Sequence, residues 1–161
     1  MKNKKVIREK LLKQLEEWMD WLETPNEDFG GYPVCPFLAP ERKQNKLLIE
    51  FYDPNEGLSI FDLIKRFDQD DRYTTALYLH MVYSNNYAVK DYQTFINEGL
   101  REIGLGHLKS ICFNPNENVT RNHVSTRSGA PTFLTSITTR QSLDVAHNKI
   151  KGSNYWKENR K

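Results

Sequence analysis

Apolar residues recur at steps of three and four between residues 4 and 22, where Ile7, Leu11, Leu15, Trp18 and Leu22 are separated by charged side chains. That spacing draws one apolar stripe along a helix and predicts a long amphipathic first helix. Thr24-Pro25 ends it, because proline lacks an N–H and disfavours helical backbone in the residue before it. Residues 25–42 then hold Pro25, Pro33, Pro36 and Pro40 together with Gly30-Gly31, which predicts a segment without regular structure.

The period changes further on. KLLIEFY at 46–52 predicts a strand closed by Asp53-Pro54-Asn55, and Leu58, Phe61, Ile64 and Phe67 mark a short helix capped by Ser59 or Asn55. TTALYLHMVY at 74–83 alternates with period two, with Leu77, Leu79 and Met81 on one face and Tyr78, His80 and Val82 on the other. A second core helix over 88–103 presents Val89, Tyr92, Ile96, Leu100 and Ile103, with Gly104 as its stop. Residues 107–113 predict a third strand, 131–138 a threonine-rich fourth and 142–150 a last short helix. The expected fold is α+β: a single mixed sheet of about four strands with helices packed on it, preceded by the amphipathic helix. Strand-helix-strand units favour parallel pairing, and the last two strands, joined by a loop, are expected antiparallel. Residues 1–150 read as one domain and 151–161 as a polar tail.

Composition narrows the classes without choosing a function. With 161 residues, 38% hydrophobic, the chain can bury a core without disulfides or metals. A net charge of +2, with basic residues gathered at the two ends, argues against nucleic acid as the partner. Cys35 and Cys112 lie far apart and outside any C-x-x-C pattern, so zinc-ribbon and thioredoxin motifs are excluded. The charged start and the lack of a long apolar run predict a cytoplasmic protein with reduced thiols and no membrane contact.

Several short motifs come in a recognisable order: Gly31-Tyr32-Pro33-Val34-Cys35-Pro36-Phe37, Asp91-Tyr92-x-x-Phe95, Gly104-Leu105, Phe113-x-Pro115 and Arg127-Ser128-x-x-Pro131. Over about residues 18–146 this arrangement resembles a bacterial and phage family known as a domain of unknown function. That family carries Cys-Pro-Phe, Phe-His-Pro and Arg-Ser-Pro-Tyr-Pro motifs. Here Asn114 stands where the family has its histidine, and Phe133 to Arg140 also lacks the histidine of the family's Leu-His-Leu-Leu-Arg strand. The resemblance therefore implies neither a histidine metal site nor a reaction.

The candidate chemistry comes from single residues. Cys35, between Pro33 and Pro36, is either a nucleophile on a rigid loop or a small apolar plug beside an anchoring Phe37. His80 is either a general base or a hydrogen-bonded core histidine. The long connection 114–130 carries His123 and Arg127-Ser128, and Arg140 follows the fourth strand; two guanidinium groups with nearby hydroxyls suit a carboxylate or phosphate. The alternative is that these arginines tie the loop to acidic residues of the scaffold. Asp68, Asp70 and Asp71 lack the glycine and downstream glutamate of a calcium loop and read as a solvated turn, so no metal ligand is assigned and metal dependence stays open. The sequence names no cofactor and leaves homo-oligomerisation open. Three readings remain: a small enzyme acting on an anionic metabolite, with Cys35 and His80 catalytic and Arg127, Arg140, Ser128 and His123 binding substrate; a non-catalytic regulatory or protein-binding module; and, ranked last, nucleic-acid binding, which needs the terminal lysines and arginines to converge on one face. The enzyme reading requires Cys35, His80 and Arg127 to meet in one concave pocket.

Overall fold

In a computed structural model, which describes residues 2–29, 31–35, 38–83, 88–121, 124–126 and 129–150, the alternating segment after Thr74 becomes an inner strand of the sheet. The elements run α1 (Lys2–Glu23), α2 (Leu38–Lys43), β1 (Leu47–Tyr52), α3 (Ile60–Asp68), β2 (Thr75–His80), α4 (Val89–Glu102) and β3 (Leu108–Phe113). A hairpin of β4 (Val119–Arg121) and β5 (Val124–Thr126) follows, then β6 (Leu134–Thr139) and α5 (Arg140–Ile150). The main sheet is four-stranded and mixed, in the order β1-β2-β6-β3. β1 and β2 pair in parallel through the α3 crossover, and β6 runs antiparallel to both β2 and β3. The α4 crossover therefore leaves a slot between β2 and β3, which β6 fills.

Period two decides which helix meets which residues. Leu77 and Leu79 of β2 join Leu134 in a cluster with Leu15, Trp18, Met19 and Leu22 of α1 and Leu38 of α2. Ala76 and Tyr78 join Ile137 and Leu108 in a second cluster with Ile60, Ile64 and Phe67 of α3 and Ile96 and Leu100 of α4. All six β2 residues are buried as a result, Thr75 and His80 included. Each such apolar side chain contributes about 1.5–3 kcal/mol when fully buried.

Local chemistry sets the element ends. Ser59 and Asp62 form a reciprocal capping box that starts α3. Gly104, at φ 80°, supplies the left-handed turn that ends α4. The start of α1 is tied to the end of β1: Lys4 Nζ lies 2.7 Å from an Asp53 carboxylate oxygen, and the Arg8 guanidinium sits over the Phe51 ring. β3 forms an edge of the sheet. Its Ser110 and Cys112 N–H groups donate to Asn97 Oδ1 at 2.9 Å and Gln93 Oε1 at 2.6 Å, two side chains one turn apart on α4. Side-chain amides thus occupy edge groups that would otherwise be open to another strand.

Three expectations need correction. The proline-rich segment contains α2, because Pro40 falls in its first turn, where the missing N–H has no helical partner to lose. β2 stops at His80, because the last β1 partner, Tyr52, pairs with His80 and β6 begins only opposite Leu79; Val82 is exposed. The long connection before β6 holds the β4-β5 hairpin instead of being irregular throughout. The expected tail at 151–161 lies outside the described residues, as does Phe37. The observed anchors of the early loop are Phe29 and Val34, both buried. Among the described residues no helix is long and apolar enough to cross a membrane.

Candidate functional site

The face of the sheet that α1 covers is incompletely filled. β6 puts Leu134, Ser136 and Thr138 on this face, so only its first position is apolar. Hydroxyls make a poor surface for close helix packing, since a buried one needs a hydrogen-bond partner. A cavity of about 410 Å3 lies over them, within the roughly 300–1,000 Å3 typical of small-molecule sites.

Its walls come from separate parts of the chain. Trp18 and Leu22 of α1 close one side, and Val34, Cys35, Leu38 and Glu41 another. The floor is Leu77, Ser136 and Thr138 with Lys109, Ile111 and Phe113, three residues that share one face of β3. Leu143, Ala146 and His147 of α5 complete it. The Phe113 ring stands edge-on to Trp18 at 5.1 Å between centroids, which makes that end aromatic. The other end is polar: Thr75 Oγ1 donates to Thr138 Oγ1 at 3.1 Å, Thr138 donates to the Thr74 carbonyl, and Lys109 is the Cα partner of Thr138 across the β3-β6 ladder. Lys109 and Glu41 make no ion pair among the described residues.

Cys35 belongs to this cavity and is half-buried. The loop carrying it is pinned to the end of α1 by the Cys35 N–H, which donates to the Leu22 carbonyl at 3.1 Å. His80 does not join it. Odd positions of β2 face the cavity and even positions face α3 and α4, so Cys35 and His80 lie on opposite faces of the sheet. The pocket expected to unite them is not formed. His80 is 1% exposed, boxed by Tyr52, Tyr92 and Phe133 at 5.0–5.4 Å. Its Nε2 lies 2.8 Å from Thr135 Oγ1, and Nδ1 has no partner among the described residues. Burial favours the neutral ring and pulls its pKa down to about 4. Through the same hydroxyl, 3.8 Å away, His80 is linked to Cys112, whose thiol burial pushes up to about 12. Neither group is open to a substrate.

Arg140 does not line the cavity either. It opens α5, its Nε donates to the Gly106 carbonyl at 2.9 Å and its N–H to the His107 carbonyl. The guanidinium thus straps α5 to the turn before β3, and the acceptor is backbone where an acidic side chain was the expected alternative. Arg127, Ser128 and His123 lie outside the described residues. In the acidic turn Asp68 meets His107 at 2.6 Å, and Arg72 donates to Asp70, holding that carboxyl at about 2.

Lys109, Ser136 and Thr138 were not anticipated as site residues, nor was His147. The available signal was a lysine sharing a strand face with Ile111 and Phe113, opposite a strand whose matching face turns to serine and threonine. No family model matches the chain, and no curated protein or solved structure matches it.

Proposed function

We propose that the protein is a cytoplasmic small-molecule-binding domain whose ligand, part apolar and part polar, occupies the cavity between α1, α2, α5 and the sheet. The observation that carries this reading is the cavity's division into an aromatic end at Trp18 and Phe113 and a hydroxyl- and lysine-bearing end at Ser136, Thr138 and Lys109. A dry packing void would be apolar on all sides, whereas this cavity's polar end calls for a polar occupant. An enzymatic reading is favoured by one further fact: Cys35 and His147 line the same cavity, so a thiol-bearing and an imidazole-bearing residue both border the space a bound molecule would occupy. The resemblance to the bacterial unknown-function family enters here through Cys35, the one residue of its Cys-Pro-Phe motif in the described part of the chain.

Alkylation of native protein tests the site. Cys35 should react with iodoacetamide and Cys112 should not, because Cys112 is 3% exposed and its thiol is held protonated. A ligand that raises the melting temperature should slow Cys35 labelling in proportion to occupancy. Stabilising ligands that leave Cys35 labelling unchanged would place binding elsewhere and end this proposal.

A further inference from the structure

We infer that the ligand carries a single carboxylate, seated on Lys109 and Ser136, and an apolar body running along β3 toward Trp18. The inference rests on the cavity being a ligand site and goes on to name the chemistry of that ligand. Lys109 and Thr138 are direct partners across the β3-β6 ladder, and Ser136 lies two residues along β6, opposite Ile111. Side chains so placed on one face are neighbours, about 5 Å apart at Cβ for direct pairs and 7–8 Å for diagonal ones. Thr138 spends its hydroxyl on Thr75 and the Thr74 carbonyl. Among the described residues the Ser136 hydroxyl has no hydrogen-bond partner and Lys109 no counter-ion. One ammonium and one hydroxyl suit the two oxygens of a carboxylate.

Beyond this head, Ile111 and Phe113 continue the same face of β3 and lead to Trp18 and Leu22. From Lys109 to Phe113 the strand rises about 13 Å, which sets the length of the apolar body. Glu41 decides against a doubly charged head. It lines the cavity from α2 without an ion pair among the described residues, so a phosphate dianion would face one cation and one like charge. An ammonium head could use Glu41 but would meet Lys109.

The experiment is calorimetric titration of the full chain with four probes sharing one alkyl tail: decanoate, decanol, decylamine and decyl phosphate, each below its micelle concentration or, for decanol, its solubility limit. Decanoate should bind about tenfold tighter than decanol, the difference expected of one charge-assisted hydrogen-bonded head. Lys109→Met should bring decanoate to the decanol level, and Ser136→Ala should weaken decanoate while leaving decanol unchanged. Ala146→Trp, which fills the cavity from α5, should abolish binding of every probe. Decanol, decylamine or decyl phosphate binding as tightly as decanoate, or Lys109→Met without effect, overturns the carboxylate head while the cavity stands. Binding that survives Ala146→Trp with the fold intact by circular dichroism, or wild-type protein that binds no probe, overturns the cavity reading and this inference with it.

Discussion

Replacing His80 with glutamine removes a titratable group from the interior while leaving a side chain able to hydrogen-bond Thr135. In the folded protein burial lowers the imidazole pKa from 6.5 to about 4. The unfolded chain therefore binds this proton more readily than the folded one throughout that window, and stability falls as pH falls through it. At 1.36 kcal/mol per unit the full effect is about 3 kcal/mol below pH 4, and roughly 2 kcal/mol is already lost between pH 7 and pH 5. The side chains around the ring, Tyr52, Tyr92, Phe133 and Thr135, carry no charge in that range, so nothing offsets the cost. Urea unfolding of wild type and His80→Gln at both pH values isolates the term, because contributions from distant carboxylates cancel in the difference of differences. Wild type should lose about 2 kcal/mol more than the variant between pH 7 and pH 5. Equal losses, or a His80 ring that titrates near 6.5 by NMR, would refute the assignment of this histidine to a sealed site.

Truncating the side chains that cover the β3 edge should have a local signature. Gln93→Ala and Asn97→Ala should each cost about 1–3 kcal/mol in chemical denaturation, and amide exchange at Cys112 and Ser110 respectively should accelerate. Gly99→Ala should destabilise by about 1 kcal/mol or more despite alanine's better helix propensity, because the added methyl collides with the Phe61 ring packed against α4; a rise in melting temperature would show that Phe61 swings aside freely. Thr135→Val should lower stability by roughly 1–3 kcal/mol, since it leaves His80 Nε2 as well as Nδ1 unpartnered among the described residues, and the loss should shrink in a His80→Phe background.

Most of the architecture was legible in the chain because two periods carry it. Steps of three and four wrote α1, α3 and α4, and strict alternation wrote β2, including which of its residues share a face. The Gly104 stop was local chemistry, readable without a neighbour, whereas the sequence left the α3 cap between Ser59 and Asn55, and the structure chose Ser59 with Asp62 as its reciprocal partner. α2 is masked by proline density, and only the place of Pro40 in a first turn lets that segment be helical. The overlong β2 escaped because a strand ends where its partners end, and Tyr52 and Leu134 are remote in sequence.

The candidate site divides along the same line. Sequence alone determined that Cys35 sits on a braced loop, and that Tyr78 and His80 share one face of their strand. Only the tertiary structure decided that Cys35 looks onto the opposite face from His80, and that Arg140 is engaged by a backbone carbonyl. It also decided that Lys109 and Ser136, 27 positions apart in the chain, line one hollow. A strand's alternation says which residues face the same way. Only the packing of helices onto the sheet says which of the two faces is filled and which is left open.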